Sequence, residues 1–393
     1  MNVLLWRNWS PLYPFPATFH AVAERGIGGT CSQLLWHASS LVGMGHAVQV
    51  LGATATDLVD EDVDFVGATD RDAQQAAVRR GRVRRPDVVL LEGAFHAAPW
   101  IRQVFPSARI VHVAQNIDHA SPSAAYQLDE YIDVYGMVSP GQQAEQCLRQ
   151  PKLRHKFCLL RNVTPWHRIL KALAPRPVEN RIAWVGAWHK KGLRPWAETM
   201  ERVLADFPSY RWDLYGPTYD GRHSELPPFV LSRLRIPRGR IAIMNRPIAE
   251  LAQEIGSARV VLVSLGNESA CISALDAHAM GRPVLSGNDM VFKYNNPEGT
   301  GLRVFRPHER YEALAGLLRA PDVGDKMGAL GKAFVTAERT EQQQAHDLRM
   351  ILGHVELLGA GRFTRGLAPP TVFEDELSYF SDKVKRKVYG ALG

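Results

Sequence analysis

The sequence contains little cysteine, and the cysteines that it has show no regular spacing. There are four of them in 393 residues: Cys31, Cys147, Cys158 and Cys271. None belongs to a Cys-x-x-Cys pair, and no set of His and Cys residues has the spacing of metal ligands. These absences argue against a zinc site or a disulfide framework, and they fit a reducing cytosol.

Long apolar runs and several catalytic motifs are also missing. No window reaches the ~18–20 uninterrupted apolar residues of a membrane-spanning helix, and Arg7 interrupts the first apolar run with no small-residue cleavage site after it. We therefore expect no membrane span, no export signal and a cytoplasmic location. A P-loop, a nucleophile elbow and a G-x-G-x-x-G dinucleotide fingerprint are absent as well. The composition, with 46% hydrophobic and 22% charged residues, predicts a folded globular protein.

Basic residues exceed acidic ones, which gives a formal net charge of +7. Such an excess fits an anionic partner, whether nucleotide phosphates, nucleic acid or a membrane surface. The basic residues cluster at positions 79–85 and again at 383–387. We favour a solvated helix face and a solvated tail at these clusters. Peripheral contact with the inner face of a membrane stays open as an alternative, and no nucleic-acid partner is predicted.

Short β-branched runs alternate with helical stretches along most of the chain. Alternation of this kind predicts βαβ units and parallel sheets. A proline-rich stretch interrupts the series, which then restarts. We therefore predict an α/β protein with two Rossmann-like, doubly wound domains that face each other across a cleft. The expected divisions are a first domain at 1–165, a linker at 166–180, a second domain at 181–358, and a tail at 359–393 that is a candidate to pack back on the first domain.

The segment from Ser264 to Val284 carries the most chemical information. It is typical of a strand end, a loop of small residues, a helix and a glycine stop. Glu268 lies in the loop, and Asp276 lies eight residues later, about two turns into the helix. The loop amides and the helix N-terminus would form an anion site for phosphates at Ser269, Ala270, Cys271 and Ile272. The alternative is a plain βαβ crossover with solvated acids.

This segment resembles the Glu-x7-Glu signature of retaining glycosyltransferases with the GT-B fold, in particular family 4 (glycosyl transferases group 1). Seven residues are in register with that signature: Glu268, Leu275, Ala277, Met280, Gly281, Pro283 and Val284. Asp276 stands where the second Glu is usual. The resemblance implies two facing Rossmann-like domains, a nucleoside diphosphate sugar as donor, retention at the anomeric carbon, and no metal or other cofactor.

Two further stretches resemble the same family. Gly28 and Gly29, followed by a helix, match its N-terminal glycine pair, which implies close approach of the backbone to the donor; alone, the pair is equally typical of a tight turn without ligand. Val185 to Gly192 matches a segment in which an Arg and a Lys hold the diphosphate. Lys191 matches that Lys, with Lys190 as its neighbour, whereas the Arg position holds alanine.

The residues that contact the acceptor are harder to assign. A long aromatic loop follows the first strand and is either a stacking surface for the acceptor or a cover that packs on itself. Its candidate contacts are Trp9, Tyr13 and Phe15. Related enzymes often carry a sugar-contacting His near the place of Gln115, which leaves three neighbouring candidates: Asn116, Asp118 and His119. His112 lies inside an apolar strand and is interpreted as a core histidine.

The resemblance therefore implies transfer of a hexosyl-type group from a nucleoside diphosphate sugar to a hydroxyl acceptor, with Glu268 and Lys191 as the catalytic residues. Two alternatives stay open: a non-catalytic nucleotide-sugar or polyanion-binding protein, and a nucleotide-sugar epimerase of the same fold. The acidic run from Asp60 to Asp64 contains a D-x-D pattern that other glycosyltransferases use for metal. It does not follow the end of a predicted strand, so we interpret it as an exposed turn.

Overall fold

The structure is a computed structural model. The parts of the chain that it describes are residues 1–7, 18–20, 29–92, 95–115, 126–164, 177–186, 193–215, 235–244, 248–263, 271–287, 298–304 and 306–357.

The first sheet contains eight strands in the described part of the chain. They are β1 (Asn2–Arg7), β2 (Ala47–Leu51), β3 (Leu58–Asp60), β4 (Val63–Val66), β5 (Val88–Glu92), β6 (Arg109–Ala114), β7 (Val134–Met137) and β8 (Phe157–Leu159). Their order across the sheet is β3-β4-β2-β1-β5-β6-β7-β8, and all neighbours are parallel except β3 and β4. The central strand β5 is buried along its whole length and β6 along all but its first residue, because helices cover both faces of the sheet.

Among the described residues, four helices follow the strands of this unit. They are α1 (Gly29–Gly43), α2 (Arg71–Arg79), α3 (Ala98–Val104) and α4 (Pro140–Arg149), with short 3₁₀ turns at Phe95–Ala97, Tyr126–Tyr131 and Pro151–Lys156. Local sequence sets their starts: Asp70 accepts from the Ala73 amide at 2.7 Å and Ser139 accepts from the Gln142 amide at 3.2 Å, both as N-caps. One apolar core forms beneath α1, and a second forms on the opposite face of the sheet.

The second sheet has six parallel strands among the described residues. They are β9 (Arg181–Val185), β10 (Arg211–Tyr215), β11 (Ile241–Met244), β12 (Val260–Leu262), β13 (Val284–Ser286) and β14 (Gly301–Arg303). The order is β11-β10-β9-β12-β13-β14, which is the 3-2-1-4-5-6 order of a Rossmann fold. The strand order therefore reverses between β9 and β12, where ligands bind in such sheets. The expected α/β class with two doubly wound sheets is confirmed.

Helices accompany the second sheet and continue beyond it. They are α5 (Leu193–Asp206), α6 (Ile248–Ser257), α7 (Ile272–Ala279), α8 (Pro307–Arg319), α9 (Pro321–Glu338) and α10 (Glu341–Leu357), with a 3₁₀ turn at Arg238–Arg240. The helix α9 packs tightly on α7 through glycines. A Cβ at Gly328 would lie 2.0 Å from the carbonyl oxygen of Gly281, and one at Gly331 would lie 2.3 Å from Nδ1 of His278. Only glycine permits this approach.

The last described helix, α10, packs on the first sheet. Leu348, Ile351, Leu352 and Val355 belong to the same buried core as β1, β5 and α1. Arg161, which follows β8, donates from its backbone N–H and its Nη1 to the carboxylate of Asp347 at 3.0 and 2.9 Å. The sequence analysis places these residues in the second domain, which it extends to residue 358. In the structure, the apolar face of α10 is buried against the first sheet. Residues 359–393 lie outside the described residues.

Within the described residues, no helix is both long and apolar enough to cross a membrane.

Candidate functional site

The carboxyl edge of the second sheet carries the residues of the glutamate–aspartate segment. The helix α7 begins at Ile272, directly after the buried Cys271, and Asp276 lies within it with 8% of its surface exposed. The first amides of a helix lack intrahelical partners, and the helix dipole favours anions at this end. Glu268, Ser269 and Ala270 lie outside the described residues. The described part thus places a helix N-terminus, followed by a nearly buried carboxyl group, where an anionic ligand would bind.

Sheet register brings together, at one edge, the two segments to which the sequence resemblance assigns donor binding. Leu262 of β12 pairs with Trp184 of β9, so the two strands run side by side and end together. The chain that leaves β9 contains Lys190 and Lys191, and the chain that leaves β12 contains Glu268. The three side chains lie outside the described residues. Their segments nevertheless start from neighbouring strands at the switch point of the sheet.

The strand ends at this edge are fixed by backbone bonds. Gly186, the residue after β9, has a φ of +147° and donates its N–H to the carbonyl of Tyr215 at 2.8 Å. Val263, the residue after β12, donates to the carbonyl of Leu285 at 3.0 Å. These two backbone hydrogen bonds fix the positions from which the following loop segments start, and binding residues are commonly carried on loops that a rigid scaffold positions.

The first sheet presents its own carboxyl edge on the side where α1 begins. Gly29 is the first residue of α1, while Gly28 lies outside the described residues, as do Trp9, Tyr13 and Phe15. Asn116, Asp118 and His119, the other acceptor candidates, also lie outside them. Gln115, which directly precedes these three, is described and is 8% exposed. His112 is fully buried against the rings of Phe95 and Tyr135, so its interpretation as a core histidine is confirmed.

A series of hydrogen bonds between buried polar side chains runs along this edge, and the sequence analysis did not predict it. Nδ1 of His37 lies 2.7 Å from Oε1 of Glu92, and Gln115 donates from Nε2 to Oε2 of Glu92 at 3.2 Å. Asn162 in turn donates from Nδ2 to Oε1 of Gln115 at 3.0 Å. All four residues are at least nine-tenths buried. The one feature of the sequence that could have indicated these contacts is Glu92, a carboxylate that directly follows four apolar strand residues.

Next to these hydrogen bonds, the side-chain amide of Gln33 both donates to and accepts from the backbone of Val163. Its Nε2 donates to the Val163 carbonyl at 2.7 Å, and its Oε1 accepts from the Val163 N–H at 3.0 Å. Gln33 and His37 are four residues apart on α1 and therefore lie on one face of it. We call Gln33, His37, Glu92, Gln115 and Asn162 the edge network.

Other charged groups are accounted for by structural partners. Arg82 pairs with Asp57 and Arg84 pairs with Asp64, so the basic cluster at 79–85 is partly neutralised by its own sheet. In the second unit Arg181 contacts Asp213 and Glu254 at the start of β9, the edge opposite the donor segment. Burial and the Asp213 carboxylate raise the pKa of the adjacent Tyr215. This buried cluster links β9, β10 and α6 in the second unit.

The acidic run at 60–64 forms the turn between β3 and β4. Glu61 and Asp62 are exposed and have positive φ angles of 47° and 62°. The turn is exposed, as interpreted, but the expectation that no strand ends before it is wrong, because the short strand β3 ends at Asp60. Among the described residues, no three His, Cys, Asp or Glu side chains are grouped so that they could hold a metal ion.

No protein-family model matches this sequence, and no curated protein matches it. Solved structures do match its fold. Sucrose-phosphate synthase from Thermosynechococcus elongatus superposes with a TM-score of 0.70 at 14% identity and covers 91% of this chain and 100% of its own. The fold is GT-B. HepE from Anabaena, crystallised in complex with UDP, gives a TM-score of 0.66 at 11% identity over 90% of this chain and 100% of its own.

A third GT-B structure agrees with these two. The α,α-trehalose-phosphate synthase (UDP-forming) from Burkholderia vietnamiensis superposes with a TM-score of 0.64 at 11% identity and covers 91% of this chain and 100% of its own. HepE has also been crystallised with UDP-glucose. These similarities extend over both sheets, and at such low identity they concern the fold.

Proposed function

We propose that this chain is a retaining glycosyltransferase, which moves a hexosyl-type group from a nucleoside diphosphate sugar to a hydroxyl acceptor. The observation that carries the proposal is the position of α7. Its N-terminus lies at the switch point of a Rossmann sheet, and its Asp276 belongs to the Glu-x7-Asp segment. A GT-B fold shared with HepE, which binds UDP and UDP-glucose, supports the same conclusion.

In this proposal the second domain binds the donor. The amides of residues 269–272 receive the phosphates at the positive end of α7. Lys191, with Lys190 beside it, offsets the charge that develops on the departing nucleotide. Asp276 accepts hydrogen bonds from ribose hydroxyls, and Glu268 accepts them from the transferred sugar or the ribose. Because a lysine and a helix N-terminus meet the leaving-group charge, the reaction requires no divalent metal.

The first domain completes the sugar pocket and receives the acceptor. The backbone at Gly28 and Gly29 approaches the donor, and the segments after β1 and β6 contact the acceptor. The acceptor oxygen forms its bond to the anomeric carbon on the face from which the phosphate leaves, and the departing phosphate oxygen takes the acceptor proton. The proposal therefore needs no enzyme nucleophile. Closure of the two domains would exclude water and limit hydrolysis of the donor.

Nucleotide binding gives the first experimental test. Thermal unfolding is measured with saturating UDP, GDP, ADP, CDP or NAD and without metal. A ligand at 100 to 1,000 times its Kd contributes about 3–4 kcal/mol, which is readily visible. We expect stabilisation by one nucleoside diphosphate and not by NAD. Stabilisation by NAD alone, or by none of the five, would contradict the assignment of the donor site.

Turnover then separates the proposed enzyme from its alternatives. A radiolabelled nucleotide sugar of the base that binds is incubated with the chain and a hydroxyl acceptor such as octyl β-D-glucoside, with and without EDTA. Release of nucleoside diphosphate together with a new glycoside supports the transferase, and a product with inverted sugar configuration and no glycoside supports an epimerase. Binding without any turnover supports the non-catalytic protein. Glu268→Ala should abolish transfer, whereas Glu312→Ala, on the exposed face of α8, should not.

A further inference from the structure

Glu92 joins the two halves of the edge network. One of its carboxylate oxygens lies 2.7 Å from Nδ1 of His37, and the other accepts from Nε2 of Gln115. Gln115 accepts from Asn162 on its remaining amide oxygen. The neighbouring group therefore fixes the orientation of each side-chain amide. The series of hydrogen bonds ends at the carboxylate of Glu92 on β5.

Four members of the network, Gln33, His37, Glu92 and Gln115, lie beside segments that the proposed function needs. Glu92 is the last residue of β5, and Gln115 is the last described residue before Asn116, Asp118 and His119. Gln33 and His37 belong to α1, which begins at Gly29. A displacement of Glu92 would thus be transmitted to the ends of β5 and β6 and to the helix behind the glycine pair.

The edge network contains buried polar atoms that lower the stability of the fold. Nε2 of His37 and Oδ1 of Asn162 are buried, and neither has a hydrogen-bond partner among the residues that the structure describes. Buried polar atoms are nearly always paired, because an unpaired one loses its hydration without compensation. The surroundings are apolar: Leu34, Ala38 and Val113 belong to the core on this side of the sheet. An apolar side chain at position 37 would avoid the unpaired atom.

We propose that His37 is a positioning residue for the acceptor side of the site, and that it acts through Glu92 and Gln115 on the carboxyl ends of β5 and β6. The proposal rests on the proposed function, since it assigns the acceptor to this edge of the first sheet. His37 itself is fully buried, so its effect is to fix the ends of β5 and β6 in the geometry that receives the acceptor hydroxyl.

Two variants at position 37 test the idea. His37→Asn keeps a donor near the place of Nδ1 and thus keeps the bond to Glu92, whereas His37→Leu removes it. Transfer from the labelled donor to octyl β-D-glucoside is measured at varied donor and acceptor concentrations. We expect His37→Leu to lower kcat/KM for the acceptor by about ten- to a hundred-fold, the range for a buried hydrogen bond broken on one side. The KM for the donor should stay within about two-fold, and His37→Asn should retain most of the activity.

Asp133→Asn is the matched control. Asp133 is a buried carboxylate of the same sheet that pairs with Arg102 at 2.7 Å, but it lies at the start of β7, on the opposite edge. It should lower stability without changing acceptor selectivity. If His37→Leu and Asp133→Asn alter donor and acceptor parameters alike, or if neither alters them, the positioning role is wrong.

Hydrogen exchange provides a readout that does not depend on activity. In His37→Leu, the amides of Val113 to Gln115 and of Asn162 to Val163 should exchange faster than in the parent chain, and they should not do so in Asp133→Asn. If the parent chain turns over no donor, the proposed function fails and the acceptor role fails with it; exchange then decides only whether His37 fixes the ends of β5 and β6. Unchanged exchange at these amides in His37→Leu would overturn it.

Discussion

Trp196 donates its indole N–H to the backbone carbonyl of Val263 at a distance of 3.1 Å. Trp196 is a fully buried residue of α5, the helix that follows the segment with Lys190 and Lys191. Val263 is the residue that precedes the segment with Glu268. One side chain thus ties together the two parts of the chain to which donor binding is assigned.

Trp196→Phe is expected to weaken donor binding. The substitution keeps an aromatic ring but removes the donor, which leaves the Val263 carbonyl short of a partner and costs about 1–2 kcal/mol. We expect a lower Tm and a several-fold higher Kd for the nucleoside diphosphate, both measured by calorimetry. Trp212→Phe is the control, because the Trp212 indole N–H is buried and has no partner in the described structure. Equal affinities in the two variants would show that the Trp196 bond does not support the donor site.

Gly328→Ala is expected to force α9 away from α7. The new Cβ would meet the backbone carbonyl of Gly281 at 2.0 Å, and a backbone atom cannot move aside as a side-chain end can. Overpacking of this kind costs about 1–3 kcal/mol or more, and nucleotide affinity should fall because α7 carries Asp276. Gly316→Ala on α8, which meets nothing within 4 Å, should instead stabilise by about 0.4–1 kcal/mol. Urea unfolding of both variants measures the difference.

Ile351→Ala tests the packing of α10 on the first sheet. Ile351 is fully buried in the core that includes β1 and α1. Removal of its outer methyl groups should lower the free energy of unfolding by about 2–5 kcal/mol. Met350→Ala, one residue earlier and 60% exposed, should change it by no more than about 0.5 kcal/mol. A small effect of Ile351→Ala would contradict this placement of the helix.

Asp57→Asn should have a pH-dependent effect on stability. The backbone N–H of Gly67, at 2.7 Å, and the guanidinium of Arg82 lower the pKa of the Asp57 carboxyl from 3.8. A carboxyl group whose pKa is lowered by folding stabilises above its unfolded pKa, and this stabilisation is lost as the pH falls through the folded pKa. The parent chain should therefore be more stable than Asp57→Asn at pH 7, by less than about 1 kcal/mol because the pair is exposed. Thermal unfolding at pH 7 and below pH 3 checks this: a difference that persists unchanged in acid would exclude the mechanism.

The sequence predicted the fold class because strand periodicity and helix periodicity are local properties. The strands at Ala47–Leu51 and Val63–Val66, for example, are short apolar runs of the kind from which the alternation was predicted. The placement of α10 was not predictable in the same way, since an apolar helix face indicates burial without indicating which sheet buries it. The contact between His37 and Glu92 joins residues that are 55 positions apart, so it required the structure. The assignments of Glu268 and Lys191 rest on a motif alone, and they stay predictions.

The packing of α10 has a consequence for synthesis of the chain. Strands β1 to β8 are complete when residue 159 has been made, but four residues of their apolar core arrive only with residues 348–355. Until then, the face of the sheet beside α1 lacks part of its cover, and an exposed apolar surface on a nascent chain invites aggregation or chaperone binding. The first sheet begins folding early on the ribosome yet reaches its final stability only after the whole second sheet has been translated. A chain that stops at residue 340 should accordingly bind holdase chaperones that release the longer chain, which a pull-down of stalled nascent chains would measure.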